Sequence, residues 1–453
     1  MNEKVNKKDL IFLFLASAFV FIWKIWSGSL MSWDEAVYAQ VAREMFNSGN
    51  LIDLTWAGGH WADKPPLYFW FTAFFYKLFG VTEFSARLFS SLCGIGTVLV
   101  TYLFANKLFS RKAAVASALI LISTWHFIWS AKAAMLDTTL TFFIILSLFL
   151  FRLGEEKKIY LFFSMLAFAF AFLTKAAVAF VIPVIIIIYL ILSGKLKLLK
   201  EPVFLWGLFT ALLILGIWHI LAFKHYGNDF VRGYIFKNFF VRSTQAIEGH
   251  TGTFFTYFKV LPNKGRPWAG PCFAALIAAF IMLLRGKEKS LLIPVIWYVT
   301  VFLLFSFVKT KLHWYIIPIY PAMTIILGWG ISKITGRFTV AVISILTCVA
   351  LLYLIFDKKI FNLDYCPQTK ALSLEVKKIL PGDEKVYLYG IGDPGVRFYL
   401  GDKGENIDEA KYRVLIKEKD KYIFYNRSGF SSQLFTQAQV VLESSDYILI
   451  KTR

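Results

Sequence analysis

The stretch FSARLFSSLCGIGTVLVTYLFANKLFSRKAAVASALILISTWHFIWS (84–130) decides the fold class. It reads as an apolar run over 84–106, a basic break at Lys107, Arg111 and Lys112, and a second apolar run over 113–130. Each run is close to the roughly 20 helical residues needed to cross a hydrocarbon core. A basic break between two such runs marks a cytoplasmic turn, because lysine and arginine are retained on that side of the membrane.

The pattern recurs. Further runs lie near 9–28, 136–151, 159–173, 176–193, 203–222, 269–284, 290–308, 314–331 and 338–356. The first follows MNEKVNKKDL and has no small-residue cleavage site, so it reads as an uncleaved helix. The expected fold is therefore a polytopic α-helical membrane protein of about 11–13 transmembrane helices. Of the 453 residues, 58% are hydrophobic and 17% charged, which fits that class and not a soluble one. The net charge of +20 sits in the breaks between runs, where it sets topology and meets anionic lipid. No basic groove or binding motif supports a nucleic-acid partner. Cys93, Cys272, Cys348 and Cys366 show neither CxxC nor metal spacing and imply no disulfide framework.

With the N-terminus in the cytoplasm, the basic breaks all fall inside. Residues 29–83, 223–268 and everything after 357 then lie outside. Residues 1–356 form the transmembrane unit, and PPLYFWFTAFFYKLFG (65–80) reads as an interfacial helix. Residues 357–453 read as a small α/β domain, with strands at VYLYG (386–390), YRVLI (412–416), KYIFY (421–425) and YILIK (447–451). GDPGVRFYLG (392–401) reads there as a turn leading into a helix.

Five outer stretches carry chemistry. In MSWDEAVYAQ (31–40), Asp34 and Glu35 fit a capping box begun by Ser32, and equally fit catalysis at a membrane surface. In HWADKPP (60–66), the Pro-Pro pair holds Lys64 on a stiff loop, where it suits a lipid phosphate or simply snorkels. Asp137 heads the fourth span, and a carboxylate in that setting is functional or paired. FVRGYIFKNFFVRSTQAIEGHTGTFFTYF (230–258) interleaves Arg232, Lys237, Arg242 and His250 with aromatics, as an anionic headgroup would require. SFVKTKLHWYIIPIYP (306–321) adds Lys311 and Tyr315 at the interface. The topology puts all five stretches on one membrane face. Acids beside cations at a lipid surface suit displacement at a sugar carried on a lipid phosphate.

WDEAVYA, the DKPPLYFW loop, the aspartate heading the fourth span and SFVKTKLHWYIIPIYP occur in this order. They resemble the C-type (GT-C) glycosyltransferases of the protein O-mannosyltransferase and lipid A aminoarabinose transferase superfamily, over roughly residues 10 to 330. The resemblance implies an inverting transferase that moves a sugar from a polyprenyl-phosphate donor to a lipid, such as lipid A, or to a protein. It casts Asp34 as base, Glu35 as an orienting acid and Asp137 as a second active-site acid. Lys64, Arg242, Tyr315 and Lys311 are expected to hold the donor phosphate. No cofactor is obligatory, and a divalent metal is left open at His250, His60 or Asp63. The expected setting is a multi-pass monomer of a bacterial inner membrane with its C-terminal domain in the periplasm, in contact with membrane lipids. Val37 and Asp63 depart from the aminoarabinose enzymes, which carry Arg and Glu there, so the acceptor is not fixed by the motifs. The competing function is a transporter or flippase for a lipid-linked saccharide, which calls for broken helices at mid-membrane.

Overall fold

A computed structural model describes residues 5–241, 244–245, 249–335, 338–355, 357, 360, 362–427 and 438–453. Each of the eleven apolar runs carries helix. The first is α1 (Lys7–Ile22), capped by the Asn6 side chain. The run at 84–106 is α4 (Glu83–Leu108), begun by a reciprocal Thr82/Ser85 capping box. The run at 113–130 breaks into α5 (Arg111–Ile122) and α6 (Trp125–Lys132), bent by 64°. Next come α7 (Leu136–Gly154), α8 (Ile159–Ala179), α9 (Val181–Ser193) and α10 (Pro202–Tyr226).

In the second half, α11 (Thr256–Lys264) and α12 (Ala269–Leu284) meet at 120°. They are followed by α13 (Leu292–Phe307), a 3-10 turn at His313–Ile319, α14 (Tyr320–Thr335) and α15 (Thr339–Ile355). Among the described residues, six helices are long and apolar enough to cross a membrane, or eight if each bent pair counts once. The helices α9 and α15 are apolar but shorter. The eleven runs are thus eleven helical units of unequal reach.

Between α1 and α4 lie two shorter helices. Helix α2 (Asp34–Ser48) buries Ala36, Tyr38, Val41, Ala42 and Met45, and packs on α3 (Leu67–Phe79). A two-stranded hairpin joins them, β1 (Thr55–Trp56) against β2 (Gly59–His60). Helix α3 falls short of a span, as an interfacial segment should.

The C-terminal part is a five-stranded sheet of order β4-β3-β5-β7-β6. β3 (Val386–Tyr389) pairs in parallel with β4 (Gly404–Ile407) and β5 (Tyr422–Asn426), while β7 (Tyr447–Thr452) runs antiparallel to β5 and to β6 (Ala438–Glu443). Its helices are α16 (Pro367–Ile379), α17 (Pro394–Leu400) and α18 (Glu409–Leu415). The strand expected at YRVLI is corrected to helix α18. There the Asp408 carboxylate accepts from the Lys411 amide at 2.8 Å and starts a helix that buries Tyr412 and Leu415, one turn apart.

This domain is fastened to the segment between α1 and α4. The Leu30 amide donates to the Tyr399 hydroxyl at 2.7 Å, Arg43 Nη1 to the Phe398 carbonyl at 3.0 Å, and Arg397 faces Glu44 at 3.3 Å. Gly28 (φ +82°) is required at this seam, since a Cβ there would lie 2.5 Å from the Leu363 carbonyl carbon. Gly401 (φ +65°) leaves the room that the Arg43 guanidinium fills.

Candidate active site

The site is built around the first turn of α2. Trp33 takes φ +69°, in the left-handed region, and Asp34 is the first helical residue. Ser32 does not cap the helix, contrary to the sequence expectation. Its hydroxyl donates at 2.5 Å to Asp393, in the turn before α17, and so ties the C-terminal domain to the edge of the site.

Asp34 faces a cavity of about 970 Å³, walled by Trp61, Lys64, Lys175, Tyr234, Phe305 and Tyr315. Cavities of this size accommodate drug-sized ligands. The Tyr38 hydroxyl, one helical turn on, donates to Asp34 Oδ1 at 2.9 Å. Burial raises the Asp34 pKa above the ordinary carboxylate value, and it outweighs the opposing pull of Tyr38, Lys175 and Lys64. Tyr38 is held edge-on to Trp61, Tyr68 and Phe69, which fixes its hydroxyl. Burial and the Asp34 charge push its own pKa well up, so it stays a donor.

Glu35 points the other way. It is fully buried and accepts from Arg87 Nε at 2.7 Å, from the Met31 amide at 2.7 Å and from the Ala134 amide at 2.9 Å. The same guanidinium donates to the Ile25, Ser27 and Ser29 carbonyls. Glu35 therefore takes no catalytic place at the cavity, and of the expected orienting roles its contacts fit the loop and not the acceptor. Its oxygens are consumed in positioning residues 25–35 against the start of α7, away from the cavity.

Lys64 sits on the cavity wall, 7% exposed, with its ammonium on the Asp63 carboxylate. Lys237 comes within 3.8 Å of the other Asp63 oxygen from a π-helical stretch at Val231–Val241. Asp137, in the first turn of α7, lies behind the wall and accepts from Lys175 Nζ at 2.8 Å. Lys175 leaves helical geometry in α8 (φ −156°, ψ 80°), and that break turns its side chain inward. Its ammonium lies 4.6 Å from the centre of the Tyr315 ring, while Asp34 also feels its charge. The structure thus joins Asp34, Lys64 and Tyr315 around one cavity, with Asp137 reached through Lys175.

Lys175 was missed as a site residue. Its only trace in the sequence is a lone cation interrupting the apolar stretch 159–193. Arg87 and Tyr38 were also missed, the one hidden in an apolar run and the other one helical turn beyond Asp34.

Lys311 is the second correction. Its ammonium donates to the Phe305 and Ser306 carbonyls at 2.6 and 2.7 Å, capping the end of α13, and Tyr257 lies beneath it. It is bound to backbone and does not line the cavity. Arg242 lies outside the described residues. Of the three metal candidates, His250 and Asp63 line the cavity without joining a ligand cluster, whereas His60 groups with Asp53 and His225.

A family model described as dolichyl-phosphate-mannose-protein mannosyltransferase matches residues 63–219. An uncharacterised protein of Aquifex aeolicus is 30% identical over 91% of this chain and 96% of its own length. The undecaprenyl phosphate-alpha-4-amino-4-deoxy-L-arabinose arabinosyl transferase of Wigglesworthia glossinidia brevipalpis is 26% identical over 73% of this chain. The match spans only 60% of that transferase's length. In fold, the chain is similar to the crystal structure of ArnT from Cupriavidus metallidurans bound to undecaprenyl phosphate, with a TM-score of 0.81, 98% of both chains covered and 18% identity. By its motifs, its fold and these relatives, the chain belongs to the C-type membrane glycosyltransferase superfamily of the protein O-mannosyltransferases and the ArnT-like aminoarabinose transferases.

Proposed function

We propose that this chain is an inverting glycosyltransferase. It moves a sugar from a polyprenyl-phosphate donor to a hydroxyl or phosphate of a lipid or protein acceptor at the non-cytoplasmic face of a bacterial inner membrane. One observation supports this most: a carboxylate with a raised pKa, Asp34, shares a wall with Lys64 and Lys175 in an aromatic-lined cavity. The N-terminus lies in the cytoplasm by the charge of the loops, and the C-terminal domain outside.

The chemistry follows from these groups. The acceptor O–H gives its proton to Asp34 as its oxygen attacks the anomeric carbon. The bond from that carbon to the phosphate oxygen breaks on the opposite side, and polyprenyl phosphate departs with the electron pair. Charge therefore grows on the phosphate, where the Lys64 ammonium stabilises it more in the transition state than in the bound donor. Arg242, singled out by the basic-aromatic pattern of residues 230–258, is proposed to share this role. The Lys175 charge, fixed by Asp137 and the Tyr315 ring, keeps Asp34 ionised in a desolvated site. Trp61, Phe305 and Tyr315 give the sugar and the first prenyl units an apolar bed.

The test is transfer of labelled sugar from synthetic polyprenyl-phosphate donors, by the purified protein in proteoliposomes, to extracted lipids and membrane proteins. Donor-dependent labelling of one acceptor class is expected. Movement of the intact donor across the bilayer without transfer would overturn the reading in favour of a flippase.

A further inference from the structure

Beside the cavity, on the loop that leads to Lys64, two histidines converge on one carboxylate. Asp53 closes the loop after α2, where the Asn50 side chain accepts from its amide at 3.1 Å and from the Ile52 amide at 3.0 Å. His60 stands on β2, paired across the hairpin with Thr55. His225 comes from the last turn of α10. Asp53 Oδ1 lies 3.2 Å from His60 Nδ1, and Oδ2 lies 2.9 Å from His225 Nε2. All three ligand atoms fall within 4.8 Å of one another, and among the described residues this is the one such group of metal-ligating side chains.

We propose that Asp53, His60 and His225 form a binding site for a late first-row divalent cation, of which Zn²⁺ is the best chemical fit. Two neutral imidazoles and one carboxylate match the preference of such ions, whereas magnesium and calcium call for oxygen ligands throughout. Ligand bonds of about 2.0–2.2 Å require donor atoms a little over 3 Å apart. Two of the contacts already have that spacing, and the half-exposed imidazole rings can rotate to close the third. An outer support is in place as well. Tyr226, next to His225, hydrogen-bonds the Asp53 carboxylate, and its ring packs edge-on to His60 at 5.0 Å. The exposure of both rings leaves a fourth position for water.

The site joins two separate parts of the chain. His60 lines the cavity and precedes Lys64 by four residues, while His225 stands in the last turn of α10. A bound ion would pin the Lys64 loop to the end of α10. The site is independent of the transfer reading, and it takes metal whether or not the chain proves to be a glycosyltransferase.

The test uses full-length protein purified in detergent without a polyhistidine tag, stripped with a chelator and titrated with Zn²⁺ or Co²⁺. One Zn²⁺ per chain, a rise in melting temperature on adding zinc, and the visible absorption of a four-coordinate cobalt site are expected. His225→Ala should weaken binding at least ~100-fold, more than the loss of an outer-shell partner. It should also abolish the thermal shift while leaving the melting temperature of the stripped protein unchanged. Asp53→Asn, which preserves shape, is the second variant and should behave alike. Absence of stoichiometric zinc from the stripped and reloaded wild type, or retention of wild-type affinity by both variants, would overturn the proposal.

Discussion

The first turn of α2 presents two carboxylates to two unlike surroundings. On one face Asp34 looks into a cavity, where it accepts from the Tyr38 hydroxyl and two lysines lie near enough to bias its charge. On the other, Glu35 is fully buried and receives the Arg87 guanidinium and two backbone amides. Successive helical residues are rotated by about 100°, which is enough to send one acid toward the cavity and the other into the core. A carboxylate whose lone pairs are filled by fixed donors is a strut, because any proton it accepted would cost those bonds. One held by a single hydroxyl in a partly desolvated site keeps capacity for a proton. The same residue chemistry thus does two jobs, and the number of fixed donors decides which.

The comparison breaks most visibly at Asp34. Asp34→Asn keeps the shape and removes the proposed base, and transfer should fall by ~10²–10⁴-fold. In the wild type kcat/KM should decline as pH falls, with the acid limb above the ordinary carboxylate range because burial raises this pKa. The sign for stability is opposite. A carboxyl whose folded pKa is raised favours its protonated form in the native state, so its contribution is present at low pH and lost as pH rises through that value. Asp34→Asn should therefore unfold no earlier than the wild type at neutral pH, and slightly later. A variant that lost both activity and thermal stability would make Asp34 a second strut.

The strut should fail differently. Glu35→Gln leaves the Arg87 charge buried without its counter-charge, and about 3–5 kcal/mol of stability should be lost. Transfer should fall with the folded fraction, leaving the pH profile of the folded enzyme unmoved. Combining it with Arg87→Met removes the stranded charge and should recover part of the loss. The double-mutant cycle in denaturant unfolding then isolates the coupling of the pair. Additive single effects would show that Glu35 and Arg87 do not act as one unit.

Much of this was legible before the fold. Apolar runs and basic breaks located the helices because the bilayer imposes a length and a charge rule on the sequence. Asp34, Lys64, Asp137 and Tyr315 stood out as polar groups at the ends of such runs. Contacts that span the chain were not legible. Arg87 sits in an apolar run and finds Glu35 52 positions away. Lys175 resembles a turn lysine until the break in α8 sets it on Asp137. Lys311 read as a phosphate ligand because composition records its charge, while its real partners are the orphan carbonyls at the end of α13. The YRVLI segment has the aromatic and β-branched residues of a strand, and the cap at Asp408 decided otherwise.

The smallest contrast is between two lysines. Both Lys64 and Lys311 are buried at the outer loops, 7% and 8% exposed, and both were expected to hold phosphate. Lys64 is on the cavity wall beside an acid, so its ammonium can exchange a neighbour for a ligand; Lys311 is locked to two carbonyls, and burial lowers its pKa. Lys64→Met should then raise the donor KM by ~10-fold or more, the scale of one lost hydrogen bond to a charged group, and lower kcat as well. Lys311→Met should leave the donor KM within about threefold and lower stability by about 1 kcal/mol, as expected for a cation removed from a helix end. Steady-state kinetics at varied donor concentration, beside thermal unfolding, separates the two. Equal KM effects would put the phosphate on the α13 side of the cavity, and the role of Lys64 would have to be given up.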